Sequence, residues 1–146
     1  MGQFDVHASI EIEAPIEAVF EQLTDHESMA GWPGIQSCQL VKQGAPRNGV
    51  GAVRRVRAGF ISLDEEVIRF DPPQGYAYTI IRGLPVEHRG TVSLTAHQAR
   101  VTVSWDVHIA SRWPLMAQVI GRALARGLPG ALAHVKKQIE GRAPRQ

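Results

Sequence analysis

The first strand-like segment of the chain alternates apolar and polar side chains without interruption. Between residues 4 and 13 every second residue is apolar, and the positions between them are polar. A repeat of two predicts a strand with one buried face. Pro15 then suits the first turn of a helix, where a missing N–H costs nothing. The pattern predicts a strand and a short helix, followed by a second short helix that carries Met29 and stops at residues 31–34.

Turn-forming residues then recur at intervals of about ten positions through the middle of the chain. Glycine and proline at 71–75 and 83–85 separate stretches that are rich in β-branched and aromatic residues. Regular spacing of this kind predicts an antiparallel meander. The predicted strands cover residues 35–42, 50–57, 61–70, 76–82, 86–95 and 101–109.

The last third of the chain predicts one long helix at about 114–141. Its apolar residues recur at spacings of three and four, which is typical of a helix packed on one side. An interior proline removes one backbone hydrogen bond, so Pro129, flanked by Gly127 and Gly130, predicts a kink or break. The predicted buried stripe consists of Met116, Val119, Ile120, Leu124, Leu128, Leu132, Val135 and Ile139.

Length, charge and cysteine content restrict the number of domains, the partners and the location that we expect for this protein. A chain of 146 residues is the length of one domain, here 1–146 with an ordered core at about 4–141. The net charge of +2 without a block of like charge argues against a nucleic-acid partner. One cysteine, Cys38, cannot form an internal disulfide, which fits a reducing compartment. With no signal-peptide pattern and no long apolar run, we expect a cytoplasmic protein without an integral membrane segment, either monomer or homodimer.

Several short motifs resemble one known family. The strand-to-helix opening at 10–19, the segment 23–25 with Trp32, the glycine-and-arginine strand at 49–54 and the Phe-Asp-Pro-Pro turn at 70–73 occur in its order and spacing. The chain resembles the bacterial polyketide cyclase/dehydrase and lipid-transport proteins of the START-like, helix-grip superfamily (SRPBCC). The resemblance covers about residues 4–141. It implies an α+β helix-grip fold, in which a curved seven-stranded antiparallel sheet wraps around a long C-terminal helix, with two short helices after strand 1.

The resemblance also implies a cavity for apolar molecules, and strand alternation selects residues that would line it. His88 shares a strand face with Gly90 and Val92, and Trp105 shares one with Val103. Both faces are mostly apolar, so both should point toward the helix, and Gly90 should leave room for a ligand. His88 is either a proton-transfer group or a buried histidine bonded to the backbone. Trp105 is either a pocket wall or part of the core.

Charged residues on the neighbouring strands offer a second set of candidates. Strand alternation puts Arg54 on the same face of its strand as apolar residues. It therefore either projects inward to bind an anionic oxygen or lies at a solvated rim. Arg82 presents the same choice. An enclosed arginine needs a partner, and Glu66 is one option. The sequence does not decide whether Glu65 or Glu66 points inward, because a bulge would exchange them.

Two aromatic residues complete the candidate set. Tyr78 either donates a hydrogen bond in the pocket or packs, and Trp32 either covers the cavity entrance or is structural. The histidines show no metal-binding spacing, and no glycine-rich nucleotide loop is present, so we expect no metal and no cofactor.

Three functions remain open on this basis. The first is binding of a small hydrophobic or aromatic molecule, lipid- or polyketide-like, by Trp32, Arg54, Tyr78, Arg82, His88 and Trp105. The second is a polyketide cyclase/dehydrase, with His88 as acid/base and Arg54 holding an oxyanion. The third is a lipid carrier or interaction module whose arginine-rich rim meets lipid headgroups or a partner protein.

Overall fold

The computed structural model describes residues 2–142, which form one seven-stranded sheet, two α-helices and a 3₁₀ helix. Strand β1 (Gly2–Ile12) leads into helix α1 (Ile16–Thr24) and the 3₁₀ helix (His26–Gly31). The chain then forms β2 (Ser37–Lys42), β3 (Val53–Ala58), β4 (Ile61–Asp71), β5 (Gly75–Arg82), β6 (Glu87–His97) and β7 (Arg100–Ser111), and ends in α2 (Pro114–Gly141).

The sheet is antiparallel throughout, with the strand order β1-β7-β6-β5-β4-β3-β2. Strands β2 to β7 form the predicted meander, and β1 joins it at the β7 edge through an unbroken register from Gly2 opposite Ser111 to Ile12 opposite Val101. Helix α2 packs mainly on β1 and also contacts β7 and α1. The predicted helix-grip architecture, a curved sheet around the long helix with short helices after β1, is confirmed.

The core lies between the inner sheet face and α2, as strand alternation predicted. Val92 and Leu94 of β6 are buried together with every second residue of β7 from Val101 to Ile109. Burying an apolar side chain of this size stabilises the fold by about 1.5–3 kcal/mol. On α2 the buried residues are Ala117, Gly121, Leu128, Ala131, Leu132, Val135 and Ile139.

The predicted break near Pro129 and the predicted burial of Val119 are both absent from α2. The helix runs without a break through Pro129, which lies on its exposed side, because Leu128, Ala131 and Leu132 on the opposite side are buried in the core and hold both halves in place. Val119 is 68% exposed instead of buried.

Strand β3 begins three residues later than predicted, a larger shift than those of β2 and β6. Residues 50–52 form a turn before β3, since Gly51 has a φ of 90°, a conformation that favours glycine. Val50 is therefore exposed, whereas Ala52, Arg54 and Val56 are buried with the predicted parity.

Candidate functional site

A buried arginine forms the centre of the polar groups inside the protein. Arg54 of β3 is 1% exposed, and its Nε donates a hydrogen bond to Oε1 of Glu65 at 2.7 Å. The two residues lie directly opposite each other on β3 and β4. Burial disfavours the charge of Arg54, but the carboxylate of Glu65 outweighs it and holds the pKa of Arg54 above its ordinary value. Arg54 is therefore a buried, permanently charged group that is paired with Glu65.

His26 and Tyr76 support the guanidinium from two further directions. Nη1 of Arg54 lies 3.2 Å from Nδ1 of His26 and 3.4 Å from the hydroxyl oxygen of Tyr76. The other nitrogen of His26, Nε2, lies 2.9 Å from the carbonyl oxygen of Asn48. Burial, reinforced by the charge of Arg54, lowers the pKa of His26 to about 3. His26 is therefore neutral, with Nε2–H donating to Asn48 and Nδ1 accepting from Arg54.

Aromatic residues enclose the other side of the guanidinium. Cζ of Arg54 lies 4.5 Å from the ring centroid of Tyr78, a cation–π distance. The indole N–H of Trp105 donates to the Tyr78 hydroxyl oxygen at 3.0 Å, and the rings of Trp105 and Trp32 pack edge to face with centroids 5.8 Å apart. Burial raises the pKa of Tyr78, so the phenol stays protonated.

His88 packs against the aromatic ring of Tyr78, as Arg54 does. Its imidazole centroid is 5.3 Å from that of Tyr78, and the side chain is on the inner face of β6, as its parity predicted. Burial lowers the pKa of His88, an effect that Glu65 opposes and Arg54 reinforces. Arg54 and His88 thus share one face of the sheet and flank one aromatic ring.

Three buried nitrogens of this cluster have no hydrogen-bond partner among residues 2–142. They are Nη2 of Arg54, Nδ1 of His88 and Nε1 of Trp32. Each of these side chains is more than nine-tenths buried. A buried donor or acceptor left unpaired costs about 1–3 kcal/mol, so the cluster retains hydrogen-bonding capacity that the described part of the chain does not use. We call Trp32, Arg54, Tyr78, His88 and Trp105 the interior cluster.

The structure does not place Arg82 with the interior cluster. Its Nε lies 3.0 Å from Oδ2 of Asp64, its side chain is 58% exposed, and the same carboxylate is bound by Arg55. Hydrogen bonding from Arg55, with a smaller contribution from Arg82, lowers the pKa of Asp64 although burial opposes it. Arg82 belongs to a charged group away from the cluster, because Asp64 and Glu65 point to opposite faces of β4.

Glu66 is not the partner of Arg54. The pairing register places Glu65 opposite Arg54, and Glu66 opposite Val53, so Glu65 takes the inward position. Gly90 also differs from the prediction, since a Cβ at this position would overlap the ring of Tyr78. The room beside Gly90 is filled by that ring and is not open to a ligand.

Sequence reasoning missed His26 and Tyr76. Tyr76 has the same strand parity as Tyr78, so alternation alone was a sufficient signal. His26 gave none, because it lies in the 3₁₀ helix, 28 positions before Arg54, where no periodicity relates the two.

Two surface depressions lie outside the interior cluster. One is on the outer face of the sheet, where His7 bonds Asp106 and His108 bonds Asp5 across β1 and β7. The other lies between residues 84–87 and 110–112. Within residues 2–142 no group of three or more metal-binding side chains is found. In the same part of the chain, no helix is long and apolar enough to cross a membrane.

The sequence profile of the family described as "polyketide cyclase / dehydrase and lipid transport" matches residues 3–140. The chain belongs to this family. No curated protein matches the chain closely enough in sequence to count as a relative.

Solved structures share the fold of this family member at low sequence identity. The Zhui aromatase/cyclase of Streptomyces sp. R1128 has a TM-score of 0.84 and 18% identity, over 97% of this chain and 96% of that one. A START superfamily protein of Mycobacterium smegmatis has a TM-score of 0.78 and 13% identity, over 94% and 97%. The norcoclaurine synthase of Thalictrum flavum, solved with dopamine and hydroxybenzaldehyde, has a TM-score of 0.74 and 13% identity, over 99% and 90%. These likenesses establish the fold.

Proposed function

We propose that the protein binds a small hydrophobic or aromatic molecule that carries an anionic or strongly polar oxygen, between the sheet and α2. The observation that carries this proposal is Nη2 of Arg54, a buried charged donor that has no acceptor among residues 2–142. A ligand oxygen at Nη2 would supply the acceptor that residues 2–142 do not provide.

The surroundings define the chemistry of the ligand. Trp32, Tyr78 and Trp105 present ring faces and edges, which suit an aromatic or flat apolar body. Arg54 is held by Glu65 and His26, so its free edge is oriented in advance. A carboxylate, phenolate or enolate oxygen is the acceptor that a charged donor of this kind binds most strongly, and Nδ1 of His88 and Nε1 of Trp32 could supply further hydrogen bonds. The family description and the aromatic ligands of the norcoclaurine synthase agree with this ligand class.

Native mass spectrometry of the purified protein, beside a denatured control, tests for a co-purified molecule. A matched pair of probes then tests the role of Arg54, namely naphthalene-2-carboxylate and its neutral methyl ester, measured by calorimetry. A hydrogen bond to a charged group contributes about 1.5–3 kcal/mol, so the carboxylate should bind at least roughly tenfold more tightly.

Variants separate this effect from general apolar binding. In the Arg54→Gln/Glu65→Gln double variant, which removes both charges together, the preference for the carboxylate should disappear. Arg82→Gln removes an arginine outside the interior cluster and should leave the preference unchanged. Equal affinities for both probes in the wild-type protein, or no binding of either, would contradict the proposal.

A second candidate function is catalysis of an aldol-type cyclisation or dehydration. It is favoured by the neutral His88 beside the cationic Arg54, since a base and an oxyanion stabiliser within reach of one substrate are what this chemistry needs. His88 would remove a proton next to a carbonyl, and Arg54 would stabilise the enolate oxygen.

Heptane-2,6-dione tests this second function, because its intramolecular aldol condensation gives 3-methylcyclohex-2-enone and water, and the enone absorbs in the ultraviolet. His88→Gln should abolish the protein-dependent rate while naphthalene-2-carboxylate still binds. The rate should fall as the pH drops through the lowered pKa of His88. An unchanged rate in His88→Gln excludes His88 as the catalytic base.

A further inference from the structure

Exposed apolar side chains gather at one end of the sheet. The antiparallel register places the β3–β4 turn, the β5–β6 connection and the β7–α2 connection at this end, since Ala58 pairs with Ile61, and Glu87 with Ala110. Phe60, at the β3–β4 turn, is fully exposed, and Trp113 and Leu115 at the start of α2 are 54% and 74% exposed. We call this region the apolar end; its large exposed apolar residues are Phe60, Ile61, Ile81, Trp113, Leu115 and Val119.

The helix that begins at the apolar end is strongly cationic. The sequence contains no aspartate or glutamate between residues 107 and 139. Leu115, Val119, Arg122 and Arg126 follow each other at spacings of four, three and four, and all are exposed, so they form one outward ridge of α2. Among residues 2–142, Arg112, Arg122 and Arg126 take part in none of the ion pairs.

Acidic groups at this end are few. Glu87 is exposed at the start of β6. Asp64, opposite Arg82 near the end of β5, is buried and already bound by two arginines. The ridge therefore presents apolar side chains at its tip and uncompensated positive charge behind them.

We propose that the apolar end and the α2 ridge dock on an anionic lipid surface. Trp113, Leu115 and Phe60 enter the boundary between headgroups and acyl chains, and the arginines of the ridge contact lipid phosphates. Tryptophan and aliphatic residues beside arginine are the composition of interfacial membrane-binding elements. The proposal does not depend on the ligand in the interior cluster, since none of its residues belongs to that cluster.

The shape of the surface favours a lipid over a protein partner. A stable protein interface takes about 20–30 residues from each side, with a well-packed core. The apolar end offers six large apolar residues, which are distributed over the β3–β4 turn, the ends of β4 and β5, and the start of α2. A fluid surface can accept such separate side chains without a matching groove.

Vesicle binding tests the proposal directly. Wild-type protein is mixed with vesicles of phosphatidylcholine alone, and with vesicles containing about one third phosphatidylserine, at low and high salt. Co-sedimentation should occur with the anionic vesicles at low salt and weaken as salt screens the arginines. Trp32 and Trp105 are buried, so Trp113 reports on the surface: its fluorescence should shift to the blue on binding, and Trp113→Phe should remove most of this shift.

Charge-matched variants identify the surface. Arg122→Glu/Arg126→Glu should reduce binding by more than twentyfold, since one arginine near an anionic surface contributes about a fivefold factor. Arg47→Glu/Arg69→Glu makes the same change in net charge at two exposed arginines near the opposite end of the sheet and should bind nearly as wild type. Leu115→Ser/Val119→Ser should reduce binding with an unchanged melting temperature, because both side chains are exposed.

Three outcomes would overturn the proposal. The first is no binding to anionic vesicles at low salt. The second is an equal loss in both charge-reversal pairs, which would indicate attraction by net charge without a defined face. The third is a concentration-dependent dimer, measured by light scattering, that Leu115→Ser/Val119→Ser abolishes without weakening vesicle binding. In that case a second copy of the chain, and not a lipid surface, would cover the ridge.

Discussion

Replacing Arg54 with methionine should destabilise the protein more than replacing any other arginine described above. Methionine fills a similar volume and keeps the apolar stem, so the change removes the charge and its hydrogen bonds with little loss of packing. Glu65, which is 12% exposed, would then keep its carboxylate in the interior without the hydrogen bond from Arg54 at 2.7 Å.

The expected loss is large relative to the stability of a domain. Removing one partner of a buried ion pair costs about 3–5 kcal/mol, because the other charge is left uncompensated. Native domains unfold at a cost of only about 5–15 kcal/mol. For a chain of this length we expect the melting temperature of Arg54→Met to fall by roughly 10 °C or more.

A double-mutant cycle isolates the pair. Urea unfolding followed by circular dichroism gives the free energy of unfolding for wild type, Arg54→Met, Glu65→Gln and the double variant. The double variant should be more stable than the sum of the single changes predicts, by at least about 2 kcal/mol, because it leaves no unpaired charge. Arg82→Met is the control, since the Arg82 side chain is 58% exposed and Asp64 keeps its ion pair with Arg55, so the loss should be about 1 kcal/mol or less.

Two results would refute this reasoning. If Arg54→Met loses less than about 1 kcal/mol, the guanidinium is not buried as the structure describes. If the effects of the two single variants simply add, Arg54 and Glu65 do not interact, and the preorganised arginine edge on which the proposed function depends is absent.

Three further predictions concern individual groups. The pKa of Asp64 is lowered in the folded protein. The ionised carboxylate therefore stabilises the fold above the pKa of the unfolded state, and this stabilisation is lost as the pH falls through the pKa of the folded state. Asp64→Asn should flatten the acid side of a plot of melting temperature against pH. Gly90→Ala should cost about 1–3 kcal/mol in urea unfolding, because the new methyl group overlaps the Tyr78 ring; Gly127→Ala, with open space, is its control. Burial raises the pKa of Cys38 to about 11, so Ellman's reagent at pH 8 should modify the native protein far more slowly than the urea-unfolded protein.

Periodicity predicted the inward-facing residues well wherever a strand is regular. His88 and Trp105 lie on strands whose pairing with each other has no shift in register, and both are buried as their parity required. Arg54 followed the same rule on β3. For these positions the sequence carries the information locally, since each side chain is placed by its own strand.

Sequence patterns could not predict which residues of neighbouring strands lie opposite each other. The choice between Glu65 and Glu66 depends on how β4 registers with β3 and on register shifts against β5 at Asp64/Glu65 and Val67/Arg69. Bulges of this kind leave no mark in a local pattern. Counting every second residue along β5 gives Arg82 the same inward direction as Tyr78. A register shift between β4 and β5 separates the two positions, however, and Arg82 pairs with Asp64 instead.

The sequence by itself determined the order of the elements, the antiparallel meander, the long C-terminal helix and most buried faces, because these follow from apolar spacing and turn residues within short windows. Only the tertiary structure decided that His26, Arg54, Glu65 and Tyr76 meet, and that α2 continues through Pro129. Hydrogen bonds between residues distant in sequence, and burial on both sides of one proline, depend on the packing of the whole chain, which no local pattern records.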